Sequence, residues 1–260
     1  MNRAYRYRKG KVIIVKVCVI PGHGGFDPGA CNADGTRECD GNLAVGLKLK
    51  ELLELNGIEV VMSRTTDVAC WGAIATNGDV NNQIYFGNNS GADIAVAIHF
   101  NSSTNDAAHG VEALYSQYNG LTIENVKLSN LLLEEIVSAT GLNSRGIKDT
   151  AKSIGVVRGI NIPVSLTECA FVSNPGEVIW CSDPAHHVIL ARAHAKAICR
   201  YFGIEYKEEI EVPEWMQKIM DRSVAAGLIE ARKHNPNDAP AKWFILAIAL
   251  KVLQIMGRDV

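Results

Sequence analysis

The chain has 260 residues, 47% hydrophobic and 21% charged, with a formal net charge of -2. This composition is ordinary for a soluble globular protein with a full core, and the near-neutral charge excludes a general nucleic-acid or polyanion binder. The length exceeds a usual single domain and predicts one large domain with a small appendage.

In chain order, Arg3, Arg6, Arg8, Lys9 and Lys11 form a short basic head that reads as a solvated leader, with contact to an anionic surface as the second reading. The apolar residues 12–15 resemble a signal peptide only superficially, because Lys16 interrupts the run and no small-residue cleavage site follows. Residues 12–20 (VIIVKVCVI) are predicted to be a first strand, ended by Pro21-Gly22. Val45, Leu49, Leu52 and Leu53 recur at helical spacing and predict a helix over 42–55, stopped by Gly57. A strand is expected over 58–62, a helical or irregular stretch around 80–90, and a buried strand over 93–98. Further strands at 111–115 and 164–166 alternate with helices at 122–139 and 184–202. This alternation argues for an α/β fold: a twisted, mostly parallel sheet with helices on both faces. In such sheets sites gather where strands end.

No stretch reaches the roughly 18 apolar residues of a membrane span. Seven cysteines, without a C-x-x-C pair, argue against a disulfide framework and for reduced thiols in a cytoplasm.

Three segments each offer a metal-ligand type at or beyond a strand end. His23 lies in Pro21-Gly22-His23-Gly24-Gly25, where the glycines let the backbone turn sharply. Glu38 is expected just before the helix that starts near Asn42, and His99 at the tip of the strand ending Ile98-His99-Phe100-Asn101. Two imidazoles and a carboxylate suit zinc with an open fourth position, which supplies hydroxide at neutral pH. Taken singly, each has a plainer reading: a loop histidine, a satisfied core histidine, a surface carboxylate. Glu168 closes an apolar strand, so its carboxylate is expected to be desolvated and able to carry protons; a capping or ion-paired glutamate is the alternative.

The order and spacing of these segments carry a resemblance. Pro-Gly-His-Gly-Gly, the Glu38 that follows, Ser-Arg-Thr-Thr-Asp at 63–67, the run 92–101, Gly-Val-Glu-Ala-Leu-Tyr at 110–115 and Glu-Cys-Ala-Phe-Val-Ser-Asn-Pro at 168–175 together resemble the zinc amidases of the Amidase_3 family. The match spans roughly residues 12–203. It implies hydrolysis of the amide between N-acetylmuramic acid and L-alanine in peptidoglycan, Zn2+ on His23, Glu38 and His99, and Glu168 as the essential glutamate. Three departures stand out: Ile20 where the family often has Asp, Ala97 where it usually has Ser, and Gln83 where an Arg is common. No ligand is lost, but substrate contacts and the tuning of the ligands are open to change.

Other readings remain in view: a different zinc amide hydrolase such as a peptidase, a wall-binding module without catalysis, and Cys169 as a nucleophile. The catalytic domain is expected over 1–204, with a charged linker over 205–212. Residues 213–260 are expected to form a small helical domain resembling a lone S-layer-homology unit, suited to wall binding or to homodimer formation through its apolar second helix. A substrate outside the membrane and no visible signal peptide suggest an endolysin, made in the cytoplasm and released by a holin. A secreted autolysin is the second reading.

Overall fold

The computed structural model describes residues 5–8, 11–70, 76–150 and 153–208, with positions 218 and 222 alone beyond them. The chain divides into two units, Met1–Glu208 and Glu209–Val260, and the fold described is that of the first. The expected C-terminal helices over 213–260 lie outside the described residues, apart from those two helical positions.

Strand alternation explains the layers. In β3 (Lys16–Pro21) and β5 (Ile94–Asn101), Val17, Val19, Ile94, Val96 and Ile98 join one core. The intervening Cys18, Ile20, Ala95 and Ala97 join another. Successive side chains on a strand point to opposite faces, so one sheet separates two cores. The larger core is covered by α1 (Glu38–Leu55), α3 (Thr122–Thr140) and α6 (Pro184–Phe202). The smaller one, where alanines keep the sheet surface low, packs Val80 and Phe86 of α2 (Thr76–Asn89) and Val156 and Val157 of α4 (Gly155–Gly159).

With β4 (Glu59–Met62), β6 (Val111–Tyr115), β7 (Ser144–Asp149) and β8 (Val164–Phe171), the six-stranded sheet runs β4-β3-β5-β8-β6-β7. All neighbours are parallel except β6 and β8. Among the described residues the expected strands and helices are present, though β5 and β8 run on past their expected ends to Asn101 and Phe171, and other differences are larger. The single strand over 12–20 is two: β2 (Lys11–Ile14) pairs antiparallel with β1 (Tyr5–Arg8), and Val15 separates it from β3. Part of the basic head is therefore a strand, as its Tyr-Arg alternation favours. The helix expected from 42 starts at Glu38, because Glu38 and Asp40 complement the positive end of the helix in its first turn. Strand β7 was not expected, since SRGIKD carries little apolar alternation; it survives as an edge strand with one neighbour. The short helices α4 and α5 (Ile179–Ser182) were likewise not expected.

Helix α6 has the expected bounds because both ends are punctuated. Asp183 accepts from the Ala185 N–H at 2.7 Å, Pro184 opens the first turn, and Gly203 takes a left-handed conformation at φ 69°. Within α6, His194 is fully buried against β8. Its Nδ1 donates to the Leu190 carbonyl at 2.7 Å, and its Nε2 lies 2.9 Å from Thr167 Oγ1, which is also 3.3 Å from the Ala97 carbonyl. Burial, only partly opposed by the Leu190 carbonyl, lowers its pKa to about 4.

A histidine kept neutral in the folded state but free to protonate when unfolded stabilises the fold fully above about pH 6.5. That contribution is lost as pH falls toward 4. Against His194→Gln, which keeps polar partners but does not titrate, the parent chain should lose about 2–3 kcal/mol of relative stability between pH 7 and pH 4.5. Urea unfolding at the two pH values measures it; equal losses in both proteins would reject the assignment.

Candidate metal centre

Register brings the site together. His99 of β5 pairs with Glu168 of β8, which pairs in turn with Glu112 of β6. By alternation His99 and Glu168 share the face of Ala97 and Leu166, the thinly covered side. There they line a cleft of about 400 Å³ with His23, Asp27, Glu38 and residues of α2. Strand β3 lies beside β5, and the Gly22 N–H donates to the Ile98 carbonyl at 3.0 Å, so the loop after β3 delivers His23 next to His99.

The ligand-type atoms of His23, Glu38 and His99 all lie within 4.8 Å of one another. His23 Nε2 is 3.3 Å from Glu38 Oε2, and His99 Nδ1 is 2.9 Å from Glu38 Oε1. The two imidazoles meet edge to face with centroids 4.9 Å apart. Glu38 is buried and richly supplied: Oε2 also accepts from Ala30 N (2.9 Å), Oε1 from Phe100 N (3.2 Å) and Asn42 Nδ2 (3.3 Å). Burial alone would raise its pKa, but the His23 and His99 hydrogen bonds and charges hold it far below the usual carboxylate range. His23 is turned by its backbone, at φ 60°, and by Asp27, whose Oδ2 lies 2.9 Å from Nδ1. Burial disfavours its imidazolium, yet Glu38 and Asp27 together raise its pKa to about 9.

Two glycines make this proximity possible. A Cβ at Gly22 would stand 2.1 Å from the His99 ring, and one at Gly29 would stand 2.6 Å from Glu38 Oε2 and 2.7 Å from His23 Cδ2. Two imidazoles and one carboxylate on converging supports, with a carboxylate orienting one imidazole, fit a zinc ion.

Glu168 behaves oppositely to Glu38. Its Oε2 is buried and has no hydrogen-bond partner among the described residues. Burial, then the nearby Glu38 and Glu112 charges, raise its pKa well above the usual value, against a smaller opposing effect of His23. Glu112 remains charged because Arg145 and Lys148 offset its burial; Arg145 Nε lies 2.7 Å from Oε2, and Asn101 Nδ2 donates to Oε1 at 3.0 Å.

All four expected site residues thus lie together. Asp27, Asn42 and Glu112 were not assigned roles from sequence; the spacing of Asp27 four residues after His23 was the one local signal. Cys169, the alternative nucleophile, is fully buried, its thiol pushed well up by burial, with Thr167 Oγ1 as its contact at 3.7 Å. A second group of ligand-type atoms, on Cys39, Asp40 and Asp67, is bridged by Arg37, which pairs with both carboxylates.

Comparison with known proteins gives the class: a hydrolase of the cell-wall amidase type. The chain belongs to the Amidase_3 family, N-acetylmuramoyl-L-alanine amidase, whose profile matches residues 17–200. It is 31% identical over 193 residues to the N-acetylmuramoyl-L-alanine amidase CwlM of Bacillus licheniformis, covering 74% of this chain and 70% of that protein. The solved N-acetylmuramoyl-L-alanine amidase of Clostridium difficile 630 matches with a TM-score of 0.65 at 31% identity, over 73% of this chain and 97% of that one. The CwlD amidase of Clostridioides difficile, solved with the GerS lipoprotein, matches with a TM-score of 0.66 at 31% identity, over 74% and 100%. The protein is a peptidoglycan amidase.

The glycine contacts give a direct expectation. Gly22→Ala forces the His99 ring aside and should cut lysis of purified walls by about a hundredfold, since misplacement of about 1 Å costs that much. Turbidity assays beside a thermal melt check it; full activity in a folded variant would contradict the close approach.

Proposed function

We propose that the amidase is zinc-dependent, with His23, Glu38 and His99 holding the ion and Glu168 moving the proton. The observation that carries this reading is the convergence of the three ligand-type groups beside the Glu168 carboxyl, whose Oε2 has no hydrogen-bond partner among the described residues. When bound, zinc would act as a Lewis acid on the scissile amide carbonyl and lower the pKa of water.

The chain's own residues account for the rest. Asp27 fixes His23 through Nδ1, leaving Nε2 toward Glu38. Burial and the neighbouring anions make Glu168 a stronger base than a solvated carboxylate. It takes a proton from the attacking water as oxygen bonds to the lactyl carbon of the muramic acid. It then gives that proton to the L-alanine nitrogen as the C–N bond breaks, releasing a carboxylate and a free amine. Its place in the same row as His99 puts it beside the ligand group while leaving it outside that group.

Exchange of His23, Glu38 or His99 for Ala should abolish zinc retention and wall lysis together. Metal analysis of the purified variants checks this, and a variant with full zinc and full activity would remove that residue from the site. Glu168→Gln should separate the two properties, keeping zinc but losing turnover by about 10²–10⁴-fold. Normal turnover in Glu168→Gln would assign proton transfer to another group.

A further inference from the structure

The motif Ser63-Arg64-Thr65-Thr66-Asp67 supplies no ligand and no proton carrier, yet its two charged residues touch both segments that carry His23 and Glu38. Arg64 is buried and, among the described residues, donates to main-chain carbonyls alone. Nε reaches the Pro21 oxygen at 3.1 Å, Nη2 those of Gly22 at 2.9 Å and Cys39 at 2.7 Å, and Nη1 that of Thr66 at 3.2 Å. Asp67, on the exposed side, repeats the pattern with opposite charge. Its Oδ1 accepts from the Gly25 N–H at 2.9 Å, and its Oδ2 from Arg37 Nη2 at 3.2 Å.

The contacts bracket each ligand group. Positions 21, 22 and 25 lie on either side of His23, and positions 37 and 39 on either side of Glu38. His23 needs such support, because a non-glycine residue at φ 60° is strained and persists only where its surroundings over-determine it. Arg64 suits the task better than a lysine would: a planar fork of five donors holds several peptide groups at fixed angles, whereas an ammonium is a point charge on a flexible stem. Taking a guanidinium out of water to meet neutral carbonyls is costly, so its placement here is explained by what it holds.

We propose that Arg64 and Asp67 form a clamp that sets His23 against Glu38, making both of them positioning residues for metal binding. The clamp rests on the zinc reading of the site. Zinc affinity of the full chain, measured by competition with a chromophoric chelator, and thermal unfolding of the metal-free protein together test it. Arg64→Lys should weaken zinc binding by about 10–100-fold. Asp67→Asn, at an exposed position, should weaken it several-fold with an unchanged metal-free melting temperature. The visible spectrum of the cobalt-substituted Asp67→Asn protein should shift relative to the parent, because the ligand geometry has changed. Parental zinc affinity in both folded variants, whatever their melting temperatures, would overturn the clamp and leave the motif a purely structural role. If Arg64→Lys does not fold, Asp67→Asn decides alone: parental affinity and spectrum reject the proposal. Failure of the parent chain to bind zinc, or equal binding by His23→Ala, would instead overturn the zinc reading, and the clamp with it.

Discussion

A carboxylate taken out of water must find donors to replace those that water gave it. Glu38 finds them from separate segments: Ala30 in the loop after β3, Asn42 one turn along α1, the Phe100 N–H on β5, and the two imidazoles. No one of these segments could satisfy it alone. The parallel pairing of β3 with β5, which aligns Pro21 with Ile98, is what brings the loop and the strand within reach of the same side chain. A shift of that register by one residue would point His99 to the opposite face and leave Glu38 charged, buried and short of a partner.

Closeness on this scale has a steric consequence as well as an electrostatic one. Gly22 and Gly29 stand where any side chain would occupy the space of His99, His23 or Glu38. These glycines therefore act by what they leave empty. Around them the backbone is gripped by polar contacts: Asn42 and Arg64 both hold the Gly22 carbonyl, and Asp67 holds the Gly25 N–H. Sequence order scatters these residues over 46 positions, from 22 to 67, yet they act on one loop.

Elements that bury one face twice over were legible in the sequence. Strands β3 and β5 announce themselves as β-branched or alanine-rich runs, and α6 by Asp183-Pro184 before it and Gly203 after it. Strand β7 was not legible, because an edge strand with polar residues on both faces carries no period-two signal; it is held by its pairing with β6. Helix α1 starts four residues before the expected position because the apolar spacing that marks it begins only at Val45, whereas the acidic first turn carries the helix back to Glu38. Among the residues that meet in the cleft, His23, Glu38, His99 and Glu168 could be singled out because the order and spacing of their segments resemble those of a known family; taken singly, each had a plainer reading. Asn42 and Glu112 could not, since a helix asparagine or a strand glutamate acquires its role only through a neighbour brought by the fold.

The contrast between Glu38 and Glu168 shows what register adds. Both are glutamates beside the same cleft, and burial pushes the pKa of each upward. For Glu38 two imidazoles and several donors reverse the effect. Among the described residues the Oε2 of Glu168 has no hydrogen-bond partner, and the charges of Glu38 and Glu112 add to the effect of burial. The row His99–Glu168–Glu112 across β5, β8 and β6 is responsible. In it the turn from parallel to antiparallel pairing at β6 sets a charged carboxylate directly opposite Glu168, on the same face. Arg145 and Lys148 then keep Glu112 ionised without removing it from that row. Two glutamates beside one cleft, Glu38 at the start of α1 and Glu168 on β8, are thus driven in opposite directions, and the division follows from which neighbours each one meets.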